Sequence, residues 1–174
     1  MSKASNFSER NGYEPPEADI TIRHEAPDEM RAVVIDIAYE CGLDPSDLRA
    51  SICRLLRARP DPNNWSEYPN IDNEVHDLVE SSEWYEVYDV IETIASSLER
   101  RTRRDGSPAQ AHFETELNRY FKRRGIGWQL VDGRIEARGP EAFELAVKEA
   151  RVALAESARR RPTLTPTPDA VLTH

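Results

Sequence analysis

The chain has 174 residues, of which 39% are hydrophobic and 32% charged, with a net charge of −9 at pH 7. That length suits one domain whose core needs no disulfide or metal staple. No run approaches the roughly 18 apolar residues of a membrane span. The opening Met1-Ser2-Lys3-Ala4-Ser5 has no apolar stretch of a secretory leader, so the cytoplasm is the expected compartment.

The acidic total speaks against a general affinity for nucleic acid. The charges are unevenly spread, however. Pro60 to Leu98 holds no Lys or Arg, yet carries Asp61, Glu67, Asp72, Glu74 and Asp77, among other acids. From Arg100 to Arg124 the balance reverses, through Arg100, Arg101, Arg103, Arg104, Arg119, Lys122, Arg123 and Arg124. Such runs read either as solvated faces or as a charged surface that steers a partner.

Residues 1–19 are polar, with Asn11-Gly12 and Pro15-Pro16, and read as an irregular segment. A single domain is expected over 20–160. Ile20 and Ile22 mark a short strand. A helix starts near Pro27-Asp28-Glu29, with Met30, Val33, Val34 and Ile37 inward, and stops at Gly42. Asp44-Pro45 opens the next, as N-cap and N1, with Leu48, Ile52, Leu55 and Leu56 on its apolar side. Pro60-Asp61-Pro62-Asn63-Asn64 breaks the chain. Two further helices are expected, at about Ile71–Glu80 and Trp84–Arg100. Pro108 begins another, with Phe113, Leu117, Tyr120 and Phe121 inward and Gly125 at its end. Asp132-Gly133 between two β-type runs signals a hairpin, because both central positions need a positive φ. A last helix runs from about Glu141 to Arg159, with Phe143, Val147, Ala150 and Leu154 along its buried side. The Pro- and Thr-rich tail, 161–174, is expected to be mobile. The fold class is α+β, mostly helical, with about six helices and a small β-hairpin near the C-terminal helix.

Nothing in the sequence spells a catalytic constellation. It contains no phosphate-binding glycine loop, nucleophile elbow or zinc-type Cys/His spacing. Cys41 and Cys53 fall in helical patterns and read as buried free thiols. His76 with Asp72 and Asp77 reads as a solvated acidic helix face rather than a metal site. A hydrolase using that acidic segment with a divalent metal is the weakest alternative. No catalytic residue, metal or cofactor is therefore expected. The most distinctive stretch is the long loop from Arg59 to Ile71, with Trp65 and Tyr68 among prolines and asparagines. Those aromatics either pin the loop to the core or form a contact surface. Trp84-Tyr85 and Trp128 fall within periodic elements and read as core.

The segments Arg59 to Ile71, Trp84-Tyr85-Glu86-Val87-Tyr88-Asp89, Gly125-Ile126-Gly127-Trp128-Gln129-Leu130-Val131-Asp132-Gly133-Arg134-Ile135 and Arg138-Gly139-Pro140-Glu141-Ala142-Phe143, with the opening Phe7-Ser8-Glu9-Arg10-Asn11-Gly12-Tyr13, form a set. This set resembles the AbiJ N-terminal domain, fourth type, of bacterial abortive-infection proteins. The resemblance spans residues 5–160. It implies a non-enzymatic α+β module that usually precedes a HEPN-type ribonuclease domain, senses an invader such as a phage, and releases the toxic effector. It brings no catalytic residues with it. Here Arg161-Pro162-Thr163 leads only into the short tail. Arg104 and His112 lie too far apart for the Arg-and-His signature of that ribonuclease. The toxic activity is therefore expected to be absent, which leaves a truncated relic or a stand-alone sensor acting in trans.

Two functional readings follow. The first is a sensor or regulatory binding module, using Arg57, Arg59, Asn63, Asn64, Trp65 and Tyr68. Its partner would be a protein or an invader-derived ligand, with a HEPN effector in trans as one candidate. The second is a nucleic-acid-binding regulator using Arg100–Arg104 and Lys122–Arg124.

Overall fold

The computed structural model describes residues 7–13, 17–140 and 142–160, with the side chain of Phe143 left aside. The mobility expected of the tail beyond Arg161 lies outside these residues. The chain divides into two compact units, residues 1–139 and 140–174. Among the described residues there are seven helices and one two-stranded sheet, an α+β architecture that is mostly helical.

In the first unit, α1 (Phe7–Asn11) is a single short turn of helix in the stretch read as irregular. Phe7 and Tyr13 stack across it at 6.0 Å. The next helices, α2 (Asp28–Glu40) and α3 (Pro45–Leu56), start where proline and acids anticipate them. At α3 the Asp44 side chain accepts from the Asp47 N–H at 2.8 Å, and Asp47 reaches back to the Asp44 N–H. This capping box satisfies N–H groups that no helical carbonyl can reach. Both α4 (Asp72–Glu80) and α5 (Trp84–Leu98) follow the apolar periodicity. A second box, from Glu83 and Glu86, opens α5. Finally α6 (Ala109–Arg124) ends at Gly125, with Lys122, Arg123 and Arg124 in the last turn, where cations suit the helix dipole.

The core gathers around α5, which packs on α2, α3 and α6 and on the second strand of the hairpin. Val87, Val90, Ile91, Ile94, Ala95 and Leu98 are fully buried against Met30, Val34, Leu48, Phe113, Leu117 and Phe121. Two residues depart from the sequence reading here. Leu55 is exposed, because Leu48, Ile52 and Cys53 form the buried side of α3. Tyr85 is 53% exposed, while its neighbour Trp84 packs partly on the core and lies edge-on to Tyr88. Arg31, on α2, is buried.

Arg31 has a structural task. Its guanidinium donates to the carbonyls of Ala26 at 2.8 Å, Val79 at 2.6 Å, Glu80 at 3.1 Å and Ser82 at 2.7 Å. Val79 and Glu80 belong to the last turn of α4 and Ser82 follows it, with the Val79 carbonyl also accepting the Ser82 N–H. One side chain thereby closes α4 and ties it to α2.

The hairpin consists of β1 (Trp128–Val131) and β2 (Arg134–Ala137), antiparallel, with Trp128 opposite Ala137 and Val131 opposite Arg134. Asp132 and Gly133 both take positive φ, as the tight turn requires. A lone hairpin is marginal in water, and α6 supplies what it lacks. Asn118 donates to the Leu130 carbonyl at 2.8 Å and accepts from the Leu130 N–H at 2.7 Å. Glu114 takes the Gly133 N–H. The strand expected at Ile20–Ile22 reduces to one parallel bridge, Ile22 to Ile126. That segment is nevertheless bound tightly, since the Thr21 and Ile22 N–H groups share the Gly125 carbonyl and the Trp128 indole donates to the Arg23 carbonyl at 2.7 Å.

Cys41 and Cys53 are buried free thiols. Burial pushes the Cys41 thiol up to about 11, with Arg103 opposing in part, and it raises Cys53 as well. Since only the thiolate attacks, both are expected to react with a disulfide reagent at pH 8 at least about tenfold more slowly in the folded chain than in denaturant. Equal rates would show that α2 and α3 open freely.

The second unit contains α7 (Ala142–Arg160). Ala150 and Leu154, expected on a buried side, are exposed, and Val147 is only half-buried. No described helix is long and apolar enough to cross a membrane.

Candidate contact loop

Arg57 leaves α3 in the left-handed region, with φ 54°, and turns the chain back along that helix. A long loop carries many backbone polar groups, each of which needs a partner. Here two carboxylates and an arginine supply them. Glu74, on α4, accepts from the Asp61 N–H at 2.7 Å and from the Asn64 side-chain amide at 3.2 Å. Arg49, on α3, donates to Glu74 at 3.0 Å and to the Asn64 carbonyl at 3.0 Å. Asp61 in turn accepts from the Asn63 N–H at 2.9 Å. Further on, Glu67 accepts from the Ser46 N–H at 3.2 Å and from the Ser46 hydroxyl. A carboxylate is favoured there, at the electropositive first turn of α3.

The loop then closes into a kinked turn, Glu67–Ile71, with Tyr68 extended at φ −125° and ψ 132°, which runs directly into α4. The Tyr68–Pro69 peptide is cis. Ser66 donates through its hydroxyl to the Tyr68 carbonyl and accepts the Ile71 N–H through its own. The Tyr68 ring lies edge-on to Tyr39, 6.3 Å away, while remaining 59% exposed. The Tyr39 hydroxyl donates to Asp72 at 2.8 Å. Burial raises the Tyr39 pKa above the usual phenol range, and this bond to Asp72 adds to the effect.

Trp65 is 86% exposed. The indole therefore does not hold the loop to the core; Glu74, Arg49 and Glu67 do. Arg57, Arg59 and Asn63 are exposed beside it in sequence, and Asn64 is half-buried as part of the network. In the sequence Glu74 reads only as one of the acids of the Pro60–Leu98 run. The available signal was the loop itself, whose backbone had to find partners on the flanking helices.

Residues 5–153 match the profile of the family described as AbiJ N-terminal domain 4. The chain belongs to this family. No curated protein and no solved structure matches it. The AbiJ membership makes this an abortive-infection-associated domain, a component of phage defence, and both the contact loop and the hairpin lie within the matched span.

The two basic segments of this AbiJ domain do not merge into one surface. The Arg101 carbonyl accepts from the Ala109 N–H, and Thr102 bridges to Pro108, so Arg100–Arg104 folds against the start of α6. Lys122–Arg124 sits at the other end of that helix. At about 1.5 Å per residue the two lie roughly 24 Å apart. Several of these cations already have partners. Arg101 faces Asp47 at 3.7 Å, Arg103 faces Asp105 at 3.4 Å, and Arg124 pairs with Glu29 and lies over the Tyr120 ring.

The loop network carries a pH signature. Burial pushes the Glu74 carboxyl up, but the hydrogen bonds from Asp61, Arg49 and Asn64, with the Arg49 charge, outweigh it and hold Glu74 below the usual carboxylate range. A depressed folded-state pKa stabilises above the ordinary value of 4.5 and ceases to do so as pH falls through the folded value. Amide exchange at Asp61, corrected for intrinsic rates, is therefore expected to quicken below about pH 4. In Glu74→Ala it should already be fast at neutral pH, while global stability falls by only about 1–2 kcal/mol. Unchanged protection at Asp61 in that variant would mean that the loop is held by other means.

Proposed function

We propose that the domain acts by binding, as a cytoplasmic sensor or regulatory module of abortive infection, and that the Trp65–Tyr68 loop is its contact surface for a protein partner. One observation carries the reading. A large aromatic stands 86% exposed on a loop whose backbone is fixed by a hydrogen-bonded network. Exposing Trp gains nothing for folding, whereas a rigid, amphipathic ring loses little entropy when a partner covers it. Arg57 and Arg59, exposed at the start of the loop, are of the residue type that joins aromatics at binding hot spots. A protein of the invader, or a HEPN effector acting in trans, fits this reading.

The test uses the tagged chain in phage-infected cells. The wild type should capture a specific protein that Trp65→Ala/Tyr68→Ala does not, with at least about a tenfold loss for the purified pair. The double variant should melt within about 2 °C of the wild type, since Trp65 contributes little to the core. Identical capture by both chains would overturn the surface assignment. Unfolding of the double variant would show instead that the aromatics serve the fold. The nucleic-acid reading has no comparable observation behind it, because its two basic segments sit at opposite ends of α6.

A further inference from the structure

We infer that the cleft between the end of α2 and the connector into α6 binds a small phosphorylated molecule. Tyr39 to Gly42 form one wall and Thr102 to Asp105 the other, around a cavity of about 630 Å³. That volume lies within the roughly 300–1,000 Å³ of small-molecule sites. The connector wall is held in shape by its own bonds. The Arg103 N–H donates to the Ser107 carbonyl at 2.8 Å, and the Gly106 N–H to the Arg103 carbonyl at 2.9 Å. Asp105 accepts from the Ser107 N–H at 3.0 Å. Arg103 and Arg104 are thus presented from a fixed turn, so that binding costs little further chain entropy.

Glu40 and Asp105 line the cleft together with the two arginines, but each acid is already engaged. Glu40 faces His112 at 3.8 Å, and one oxygen of Asp105 holds both the N–H and the hydroxyl of Ser107. Nearby, Arg101 is matched with Asp47. Arg103 reaches the other Asp105 oxygen only at 3.4 Å, long for a charge-assisted bond. Its buried Nε has no hydrogen-bond partner among the described residues. Arg104 is exposed, with no side-chain partner among them. Capping of α2 does not account for the pair. Arg31 closes α4 by donating to carbonyls, whereas the Ile37, Ala38 and Tyr39 carbonyls of α2 take the N–H groups of Cys41, Leu43 and Gly42. Two guanidinium groups on adjacent residues, with donors to spare, match the several oxygens of a phosphate. Glu40, on the opposite wall, suits a hydroxyl or amino group of the same molecule.

Magnetic-resonance titration of the isotope-labelled full chain tests the site. The probes are inorganic phosphate, ribose 5-phosphate, adenosine monophosphate and phosphate-free adenosine. At least one of the two phosphate esters should move the amide signals of Gly42 and Thr102–Asp105, binding at least about tenfold more tightly than inorganic phosphate. Adenosine should move none of them. Arg104→Gln, a change to an exposed side chain, should weaken ester binding at least about tenfold without altering the melting temperature. Trp65→Ala should bind the ester as the wild type does, so the cleft and the contact loop stand or fall separately. No response to either ester at millimolar concentration, equal binding by Arg104→Gln, or signals that move equally with adenosine would overturn the site. Inorganic phosphate binding as tightly as the esters would overturn the assignment to a larger molecule.

Discussion

Gly125→Ala is expected to lower the stability of the chain by about 3–4 kcal/mol, one of the largest effects of any single methyl group in this fold. Two costs combine. Gly125 sits at φ 66°, where alanine is disfavoured by about 1 kcal/mol. A Cβ there would also meet the Asp19 carbonyl oxygen at 2.2 Å, a backbone atom that cannot simply rotate aside. Relief requires the 18–23 segment to lift from the end of α6. The bonds from Thr21 and Ile22 to Gly125, from Gly127 to Ile22 and from Trp128 to Arg23 would then break together. Arg23, which donates to the carbonyls of Gly127 and Arg138, would follow. Thermal unfolding checks this, with an expected drop of roughly 10 °C. A fall of only about 2 °C, the size of a surface change, would mean that the segment is not an integral part of the fold.

Arg31→Met should be comparably severe, at about 3–4 kcal/mol. Methionine keeps most of the volume and removes the donors that the Val79, Glu80 and Ser82 carbonyls share at the end of α4. Arg31→Lys should recover little, since a compact ammonium cannot span four acceptors as the planar fork does. The consequence reaches the candidate site, because α4 carries both Asp72 and Glu74. A frayed α4 loosens the clamp on Asp61 and Asn64. Arg31→Met should thus reduce partner capture through Trp65 as well as stability, whereas Trp65→Ala reduces capture alone. Urea unfolding and amide exchange across α4 separate the two. Wild-type exchange in α4 of the Arg31 variant would show that the cap is dispensable.

How far these features can be read from the residues depends on the range of the forces involved. The capping box at Asp44 and Asp47 lies within one helical turn, so it is legible in the sequence. The same holds for Gly125 as a helix stop and for the Asp132-Gly133 turn. Each rests on φ preferences or on hydrogen bonds between near neighbours. The task of Arg31 was not legible. Its partners on α4 lie 48 to 51 positions away, and an arginine on a helix reads as solvated unless those carbonyls are known to be there. The place of Trp65 was open for a similar reason. An aromatic in a loop serves the core or a partner equally well on paper, and the distinction turns on whether Glu74 and Arg49 reach the loop first.

The sequence by itself therefore determined α2 to α7 and the hairpin, because these follow from local backbone preference and apolar periodicity, and its word-like matches pointed to the family. Only the tertiary structure decided which charges are spent inside the fold and which aromatic is left outside it. Those outcomes depend on groups far apart in the chain competing for the same few hydrogen-bonding positions, and no local pattern records who prevails.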